Sequence, residues 1–130
     1  MNYLFDTSIL IDIRTGNKTT LEALNSLSIN ADLPPCITTL TYGEFYFGTL
    51  TDPPSDHQKE IDFLAKFQLA TLTRSSAKIW AELQKKHLAS GKPISAIDLF
   101  IASIAIEQGR CLVTKDKDFS KIDNLHRVII

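Results

Sequence analysis

The chain begins with a short apolar run that stops at a carboxylate. Within residues 2–12, NYLFDTSILID, the apolar Tyr3, Leu4 and Phe5 precede Asp6, and two hydroxyl residues and a second apolar run follow. This pattern predicts a buried strand that turns directly into a helix, as in a parallel α/β sheet, where ligands bind beyond the carboxyl ends of the strands. Asp6 then has two interpretations: it caps the helix, since Asp is a preferred N-cap, or it belongs to a functional site.

Apolar runs and helical periodicities alternate along the rest of the chain. Segment 94–108 is apolar on nearly all sides, which predicts a central, buried helix. The alternation predicts an α/β fold, a three-layer α/β/α sandwich with a mainly parallel sheet of four to five strands, in a single domain over residues 1–130. The predicted strands are 3–5, 36–39, 69–73, 111–114 and 127–130, and the predicted helices are 8–14, 18–27, 40–50, 56–67, a segment capped by Ser75 or Ser76 that ends near 89, 94–108 and 117–122.

Composition excludes several classes of protein. With 44% hydrophobic and 22% charged residues, the chain is typical of globular proteins and not of disordered ones. No segment reaches the roughly 18 uninterrupted apolar residues of a membrane span, and Asp6 and Asp12 interrupt any signal-peptide core, so we expect a cytoplasmic protein with no membrane partner. Cys36 and Cys111 lie in apolar runs without a close Cys or His, which predicts small core residues and no zinc site.

Charge is distributed unevenly along the chain. The net charge of −1 argues against nonspecific coating of nucleic acid. Residues 1–70 hold 4 Lys and Arg against 9 Asp and Glu, whereas residues 71–130 hold 10 against 6, so the two parts carry −5 and +4. This asymmetry permits a basic face beside an acidic pocket, although helix surfaces also produce it without any function.

Four carboxylates stand in apolar or structurally critical surroundings. Asp6 and Asp116 follow the first and fourth predicted strands, and Glu44 and Asp98 lie in an aromatic-rich helix and in the most hydrophobic one. Each also has a structural interpretation: Asp98 follows Ser95 at the spacing of a capping box, Asp116 begins a turn, and Glu44 faces solvent. Because strand ends and helix starts share one edge of a parallel sheet, we expect the four to converge there.

Converged carboxylates repel one another and take up protons or cations. Two unit charges about 4 Å apart repel by roughly 4 kcal/mol at an effective dielectric constant near 20. A cluster of them therefore either holds protons or binds cations. Oxygen ligands without His or Cys select hard divalent ions, so Mg²⁺ or Mn²⁺ is the expected ion, and such ions commonly act on phosphate.

Four blocks of the sequence resemble the PIN-domain ribonucleases of the VapC toxin type, in order and with similar spacing. The blocks are FDTSILID, TLTYGEFYFG around Glu44, ISAIDLFIASIA around Asp98 and LVTKDKDF around Asp116, and together they span essentially the whole chain. The resemblance implies that the four acids Asp6, Glu44, Asp98 and Asp116 form a metal-binding quartet, to which we refer as the acidic quartet.

The same resemblance implies an activity and partners. One or two Mg²⁺ or Mn²⁺ ions would promote in-line hydrolysis of RNA by water, leaving 5′-phosphate and 3′-hydroxyl ends without a protein nucleophile. A toxin of this kind is paired with a separate antitoxin protein and generally forms a homodimer. RNA is the expected substrate; structured RNA such as tRNA or rRNA is one candidate, and the sequence leaves the target RNA open.

Residues next to the acidic quartet supply further candidates. Ser8 and Thr114 would act as supporting hydroxyls, and Asp118 is an alternative or additional ligand because family members vary at the fourth acid. Three lysines on loops expected near this edge are candidates for RNA phosphate contacts, although solvated surface lysines are the commoner case for any one of them. These lysines are Lys92, Lys115 and Lys117.

Other acid-rich α/β proteins fit the sequence less well. A receiver-like signalling domain has a pair of acids after its first strand, and an aspartyl phosphatase has a second Asp two residues after the first, whereas Thr7 and Ser8 follow Asp6 here. Two alternatives within the PIN fold stay open: an RNA-processing nuclease without an antitoxin, and a binding or scaffold module. The presence of all four acids favours an enzyme over a scaffold.

Overall fold

Five parallel strands form one sheet in the computed structural model, which describes residues 2–29, 35–91 and 93–130. The strands are β1 (Tyr3–Phe5), β2 (Cys36–Thr38), β3 (Gln68–Ala70), β4 (Cys111–Thr114) and β5 (Arg127–Ile129). Their spatial order is β3-β2-β1-β4-β5, so the chain builds one side of β1 first and then returns to build the other. The strand order reverses between β1 and β4, and open α/β sheets bind ligands at such a switch point.

Side chains of the central strands alternate between the two faces of the sheet. Leu4 and Leu112 are paired across β1 and β4 and belong to one hydrophobic cluster, whereas the next residues, Phe5 and Val113, belong to another. This alternation follows from the two-residue period of a strand, and it explains why short strands buried on both faces read as continuous apolar runs. The cysteines of β2 and β4 are buried and free, as expected of small core residues.

Helices cover both faces of this sheet. They are α1 (Thr7–Thr15), α2 (Lys18–Ser26), α3 (Thr39–Thr49), α4 (His57–Leu64), α5 (Arg74–Ala89) and α6 (Ala96–Gln108), with short 3₁₀ helices at Pro54–Asp56 and Lys117–Lys121. α1, α2 and α4 pack on the face of Phe5, and α5 and α6 pack on the face of Leu4. The predicted three-layer α/β/α sandwich is confirmed, and all five strands are parallel. Across the described parts of the chain, no helix is long and apolar enough to cross a bilayer.

α6 is the buried helix that the sequence predicts. Ile101 and Ile104 have no exposed surface, and Phe100 stacks on Trp80 of α5 with ring centroids 4.5 Å apart. Burial of the helix body against the sheet and α5 leaves little freedom for its first turn, which carries Asp98. The core therefore holds this carboxylate at a defined place beside the end of the sheet.

Capping side chains set where five of the helices begin. Each accepts a hydrogen bond from a backbone N–H of the first turn, and these residues are Asp6, Asn17, Thr38, Thr73 and Ser95. The predicted cap of α5 at Ser75 or Ser76 is wrong. Thr73 is still extended after β3 and is the N-cap, and its backbone N–H donates to the Ser76 hydroxyl, which completes a capping box.

Candidate active site

Asp6 lies at the end of the central strand β1 and is only 7% exposed. Its Oδ1 accepts a hydrogen bond from the backbone N–H of Thr7 at 2.8 Å, so the carboxylate does cap α1. Its Oδ2 accepts a second bond, from the hydroxyl of Thr114 at the end of β4, also at 2.8 Å. Burial raises the pKa of Asp6 above its ordinary value, although both hydrogen bonds favour the charged form.

The exit of β4 brings a second acid to the same place. The backbone N–H of Asp116 donates to the Thr114 hydroxyl at 3.0 Å, while that hydroxyl donates to Asp6. Thr114 thus links the carboxylate of β1 to the segment that follows β4. The hydroxyl of Ser8 accepts a hydrogen bond from the backbone N–H of Lys115 at 3.3 Å, which adds a second link between these segments.

Asp116 and Asp118 point their carboxylates to different partners. Asp116 Oδ1 caps the 3₁₀ helix by accepting a bond from the backbone N–H of Asp118, and its charge contributes to the raised pKa of Asp6 and of Asp98. Asp118 instead forms an ion pair with Lys121, with Oδ1 and Nζ 2.9 Å apart. Of the two candidates for the fourth acid, the structure therefore brings Asp116 close to the other carboxylates.

Of the four acids, Asp98 has the pKa to which the charges of all three others contribute. Ser95 caps α6, and its hydroxyl accepts a bond from the backbone N–H of Asp98 at 3.1 Å, so the predicted capping relation is present. Burial, with smaller contributions from the charges of Asp6, Asp116 and Glu44, raises the pKa of Asp98 to about 6, although a side-chain hydrogen bond with Ser95 favours the charged form. The charge of each of the other three acids therefore acts on Asp98.

Glu44 joins the other acids through Thr7, a residue to which the sequence assigned no role. The Thr7 hydroxyl donates to Glu44 Oε1 at 2.8 Å, and the Thr7 backbone N–H donates to Asp6. One residue at the start of α1 therefore contacts carboxylates from β1 and from α3. Thr7 directly follows Asp6 within the DTS of the first block, and this position could have indicated that Thr7 lies at the site.

Comparison with known proteins identifies the family that carries this site. The PIN domain matches residues 3–125, which is nearly the whole chain. The chain belongs to the PIN-domain family. Ribonuclease VapC3 of Methanocaldococcus jannaschii is 36% identical over 104 residues, covering 80% of this chain and 98% of that protein. Ribonuclease VapC5 of Mycobacterium tuberculosis is 26% identical over 133 residues, covering 98% of this chain and 92% of that protein.

Solved structures share the fold of this PIN domain. The crystal structure of VapBC2 from Rickettsia felis, bound to a DNA fragment from their promoter, matches with a TM-score of 0.84 and 25% identity over 100% of this chain and 99% of that chain. VapBC-1 from nontypeable Haemophilus influenzae matches with a TM-score of 0.85 over 99% and 98%, and at 21% identity it supports the fold alone. The resemblance to VapC-type PIN ribonucleases, predicted from four sequence blocks, is confirmed.

The donor atoms of the acidic quartet fit a hard divalent cation. They are carboxylate oxygens with the hydroxyls of Thr114 and Ser8 beside them, and oxygen-only sets select Mg²⁺ or Mn²⁺. Burial first, and then the charge of neighbouring acids, raise the pKa of Asp6 and of Asp98, and a bound cation would favour the charged form of both carboxylates. Within residues 2–29, 35–91 and 93–130, no group of three or more His, Cys, Asp or Glu is already spaced as ligands of one ion. The quartet as a ligand set therefore stays a prediction.

The candidate lysines of this PIN domain differ in their surroundings. Lys117 is exposed at the start of the second 3₁₀ helix, and Lys92 lies outside the described residues. The Lys115 ammonium lies 2.9 Å from Oδ2 of Asp12, a buried carboxylate of α1 that also accepts a bond from Thr20. Sequence reasoning assigned Asp12 no role, although an acid in the apolar run ILID was a signal.

An open groove of about 410 Å³ extends from Glu44 between α1 and α3. Its apolar lining includes Ile11 and Phe45, and Arg14 at its rim forms an ion pair with Glu60 at 2.8 Å. Apolar side chains and the carboxylate of Glu44 therefore line the same groove.

Replacing Asp98 with Asn should stabilise the metal-free PIN domain at high pH. The pKa of about 6 in the folded state exceeds the ordinary value of 3.8, so the folded state holds the proton more tightly. The free energy of unfolding therefore falls as the pH rises from about 4 to about 6. Because Asp98 is partly exposed, the full shift overstates the effect. The free energy of unfolding of Asp98→Asn should exceed that of the wild-type protein by about 1–2 kcal/mol at pH 8 and by little at pH 4.

Urea unfolding with chelator present, at pH 4 and at pH 8, measures this difference. Asp62→Asn on the exposed surface of α4 is the control and should show no such pH-dependent gain. An Asp98→Asn gain of equal size at both pH values would contradict the electrostatic explanation.

Proposed function

We propose that this PIN domain is a metal-dependent endoribonuclease and the toxin of a toxin–antitoxin pair. The observation that carries the proposal is that Thr114 joins Asp6 to Asp116 at the switch point of the sheet, and that the charges of Asp6, Asp116 and Glu44 add to burial in raising the pKa of Asp98. Two relatives that match over most of this chain are named ribonucleases, which supports RNA as the substrate. The proposed products carry 5′-phosphate and 3′-hydroxyl ends.

The proposed chemistry divides between a cation and the residues of the chain. Bound Mg²⁺ or Mn²⁺, held by the acidic quartet, would supply Lewis acidity toward phosphate and lower the pKa of a bound water. Thr114 orients Asp6 through its hydroxyl, and Thr7 orients Glu44 in the same way. Asp98 takes up a proton near pH 6, so we expect its affinity for cations to fall below that pH.

RNA would approach the carboxyl-terminal edge of the sheet, where the acidic quartet makes the centre negatively charged. Lysines around that centre neutralise phosphates and position the backbone without reading its sequence. Lys117 is exposed beside the quartet and is the candidate that we favour for such a contact. The base sequence that is cut depends on contacts beyond these residues.

A cleavage assay tests the proposal. The purified chain, free of any partner, is incubated with tRNA and rRNA, with Mg²⁺ or Mn²⁺ or with excess chelator. We expect RNA to be cut only with the metal, and an exonuclease that requires 5′-phosphate ends should degrade the products. Equal cutting in chelator, or products with 2′,3′-cyclic phosphate ends, would contradict a metal-activated water. Intact RNA together with tight binding of a partner protein would favour the scaffold alternative.

Expression in cells tests the toxin assignment. VapBC2 from Rickettsia felis shares the VapBC name with a structure from Mycobacterium tuberculosis that is described as a member of the VapBC family of toxin-antitoxin systems, and this supports a cognate antitoxin for this chain. Expression of this chain alone should arrest growth, and co-expression of its antitoxin should restore it. Unimpaired growth at the same soluble level would contradict the toxin role and favour an RNA-processing nuclease. The homodimer and the cytoplasmic location stay predictions, and light scattering tests the first.

A further inference from the structure

Lys115 joins the segment after β4 to α1 at two points. Its backbone N–H donates to the Ser8 hydroxyl at 3.3 Å, and its ammonium lies 2.9 Å from Asp12 Oδ2. Ser8 and Asp12 are four residues apart, so they lie one turn apart on the same side of α1. Lys115 therefore runs along α1 for one helical turn.

The Asp12 end of this ion pair is largely buried. The Asp12 side chain is 11% exposed and that of Lys115 is 43% exposed. The Thr20 hydroxyl of α2 also donates to Asp12, and the bonds from Thr20 and Lys115 hold the pKa of Asp12 below its ordinary value. Lys115 and Thr20 together bind Asp12, so removal of the ammonium leaves Thr20 as the partner that remains of these two.

Lys115 also sits between two residues of the candidate site. Thr114 donates to Asp6, and Asp116 donates through its backbone to Thr114. The position of Asp116 relative to Asp6 therefore depends on how the segment from Thr114 to Asp116 lies against α1. The two contacts of Lys115 with α1 fix that placement.

We propose that Lys115 is a positioning residue whose ion pair with Asp12 holds Thr114 and Asp116 in place beside Asp6. This inference rests on the proposed metal-dependent nuclease. It differs from the phosphate contact expected for Lys115 from the sequence, because its ammonium is bound to a carboxylate of its own chain. Asp12 acts in the same way from α1.

Binding of Mn²⁺, followed by electron paramagnetic resonance, tests the inference without any need for activity. Removing a cation beside acidic ligands should by charge alone strengthen binding. If Lys115 holds Thr114 and Asp116 in place, Lys115→Met should instead weaken Mn²⁺ binding by about tenfold or more, as is typical when a residue that orients metal ligands is removed. Lys115→Arg, which keeps a cation, should retain more of the affinity.

A double-mutant cycle ties the effect to the ion pair. Asp12→Asn keeps an acceptor for the Thr20 hydroxyl but removes the charge that holds Lys115. If the pair is what positions the segment, the double variant should bind Mn²⁺ no more weakly than the weaker single variant. If the two substitutions act independently, so that their losses of Mn²⁺-binding free energy add in full in the double variant, the inference is overturned.

RNA cleavage kinetics separate a positioning role from a phosphate contact. The positioning role predicts that Lys115→Met lowers kcat, with KM and its salt dependence unchanged. A phosphate contact predicts a raised KM and a salt slope smaller by about one. Lys86→Met is the matched control, because it breaks a bridge of the same 2.9 Å to Asp123 with side chains 57% and 74% exposed. It should change none of these quantities.

Two results separate failure of this inference from failure of the proposed function. Wild-type affinity, or tighter binding, in Lys115→Met would overturn the positioning role while leaving the metal site intact. Absence of Mn²⁺ binding by the wild-type protein would overturn the proposed function, and the positioning role with it. Asp12→Asn and Lys115→Arg keep the test available if Lys115→Met does not fold.

Discussion

Replacing Asp6 with Asn should lower the rate of RNA cleavage by about a thousandfold or more. Asp6 contributes the most buried carboxylate of the acidic quartet and contacts both α1 and β4. A cation held there would stabilise the charge that develops in the transition state by several kcal/mol. Each 1.4 kcal/mol of this stabilisation changes the cleavage rate about tenfold. Single-turnover cleavage of a defined RNA with saturating Mn²⁺ measures the loss.

Asp6→Asn also separates the two interpretations of this residue. Asn is as good an N-cap as Asp, and a neutral side chain suits a buried position where burial raises the carboxyl pKa. The variant should therefore unfold at a temperature no lower than that of the wild-type protein. A stable and inactive protein assigns Asp6 to the chemistry, whereas a stable protein with wild-type cleavage would leave it as a helix cap only. Asp62→Asn, with similar chemistry on an exposed helix, is the control.

Asp116→Asn should reduce cleavage far more than Asp118→Asn. Asp116 lies close enough to Asp6 and Asp98 to raise the pKa of both, while Asp118 pairs with Lys121. We expect a loss of about a hundredfold for Asp116→Asn, equal to about 2.7 kcal/mol of transition-state stabilisation. For Asp118→Asn we expect less than about threefold, since exposed ion pairs contribute under about 1 kcal/mol.

The comparison of these two variants is internally controlled. Both change Asp to Asn at the start of the same 3₁₀ helix, and Asn at the N-cap position 116 can still accept the capping bond from the backbone N–H of residue 118. Cleavage rates and thermal unfolding are measured for both. A larger loss for Asp118→Asn would move the fourth ligand to that residue and contradict the assignment of Asp116.

The parts of the fold that sequence could predict are those set by local pattern. β4 has the predicted bounds and α6 ends at the predicted residue, because a buried apolar run and Gly109 mark these ends. α6 begins two residues later than predicted, at Ala96. Convergence of Asp6 and Asp116 followed from one rule, that parallel strands end at the same edge. The start of α5 was missed because Thr73 and two following hydroxyl residues are equivalent in sequence.

The contacts that organise the site could not be predicted, because they join distant parts of the chain. Thr7 and Glu44 are 37 positions apart, and Asp12 and Lys115 are 103 apart. The sequence placed Lys115 on a loop near an acidic edge and made it a candidate for a phosphate contact, with a solvated surface lysine as the commoner case. Only the packing of α1 against β4 shows that a carboxylate of the chain already binds its ammonium. Distances of this kind follow from tertiary packing and leave no local pattern.

Direct titration of the protein with Mn²⁺ is the measurement closest to the central claim that the acidic quartet holds a divalent cation. Free Mn²⁺ is followed by electron paramagnetic resonance at pH 7.5 for the wild-type protein and for Asp6→Asn, in parallel with RNA cleavage. If the quartet holds the cation, the wild-type protein binds Mn²⁺ saturably, Asp6→Asn binds it much more weakly, and RNA cleavage rises with the fraction of protein that has Mn²⁺ bound. RNA cleavage by the wild-type protein with no bound Mn²⁺ and with chelator present would contradict the central claim.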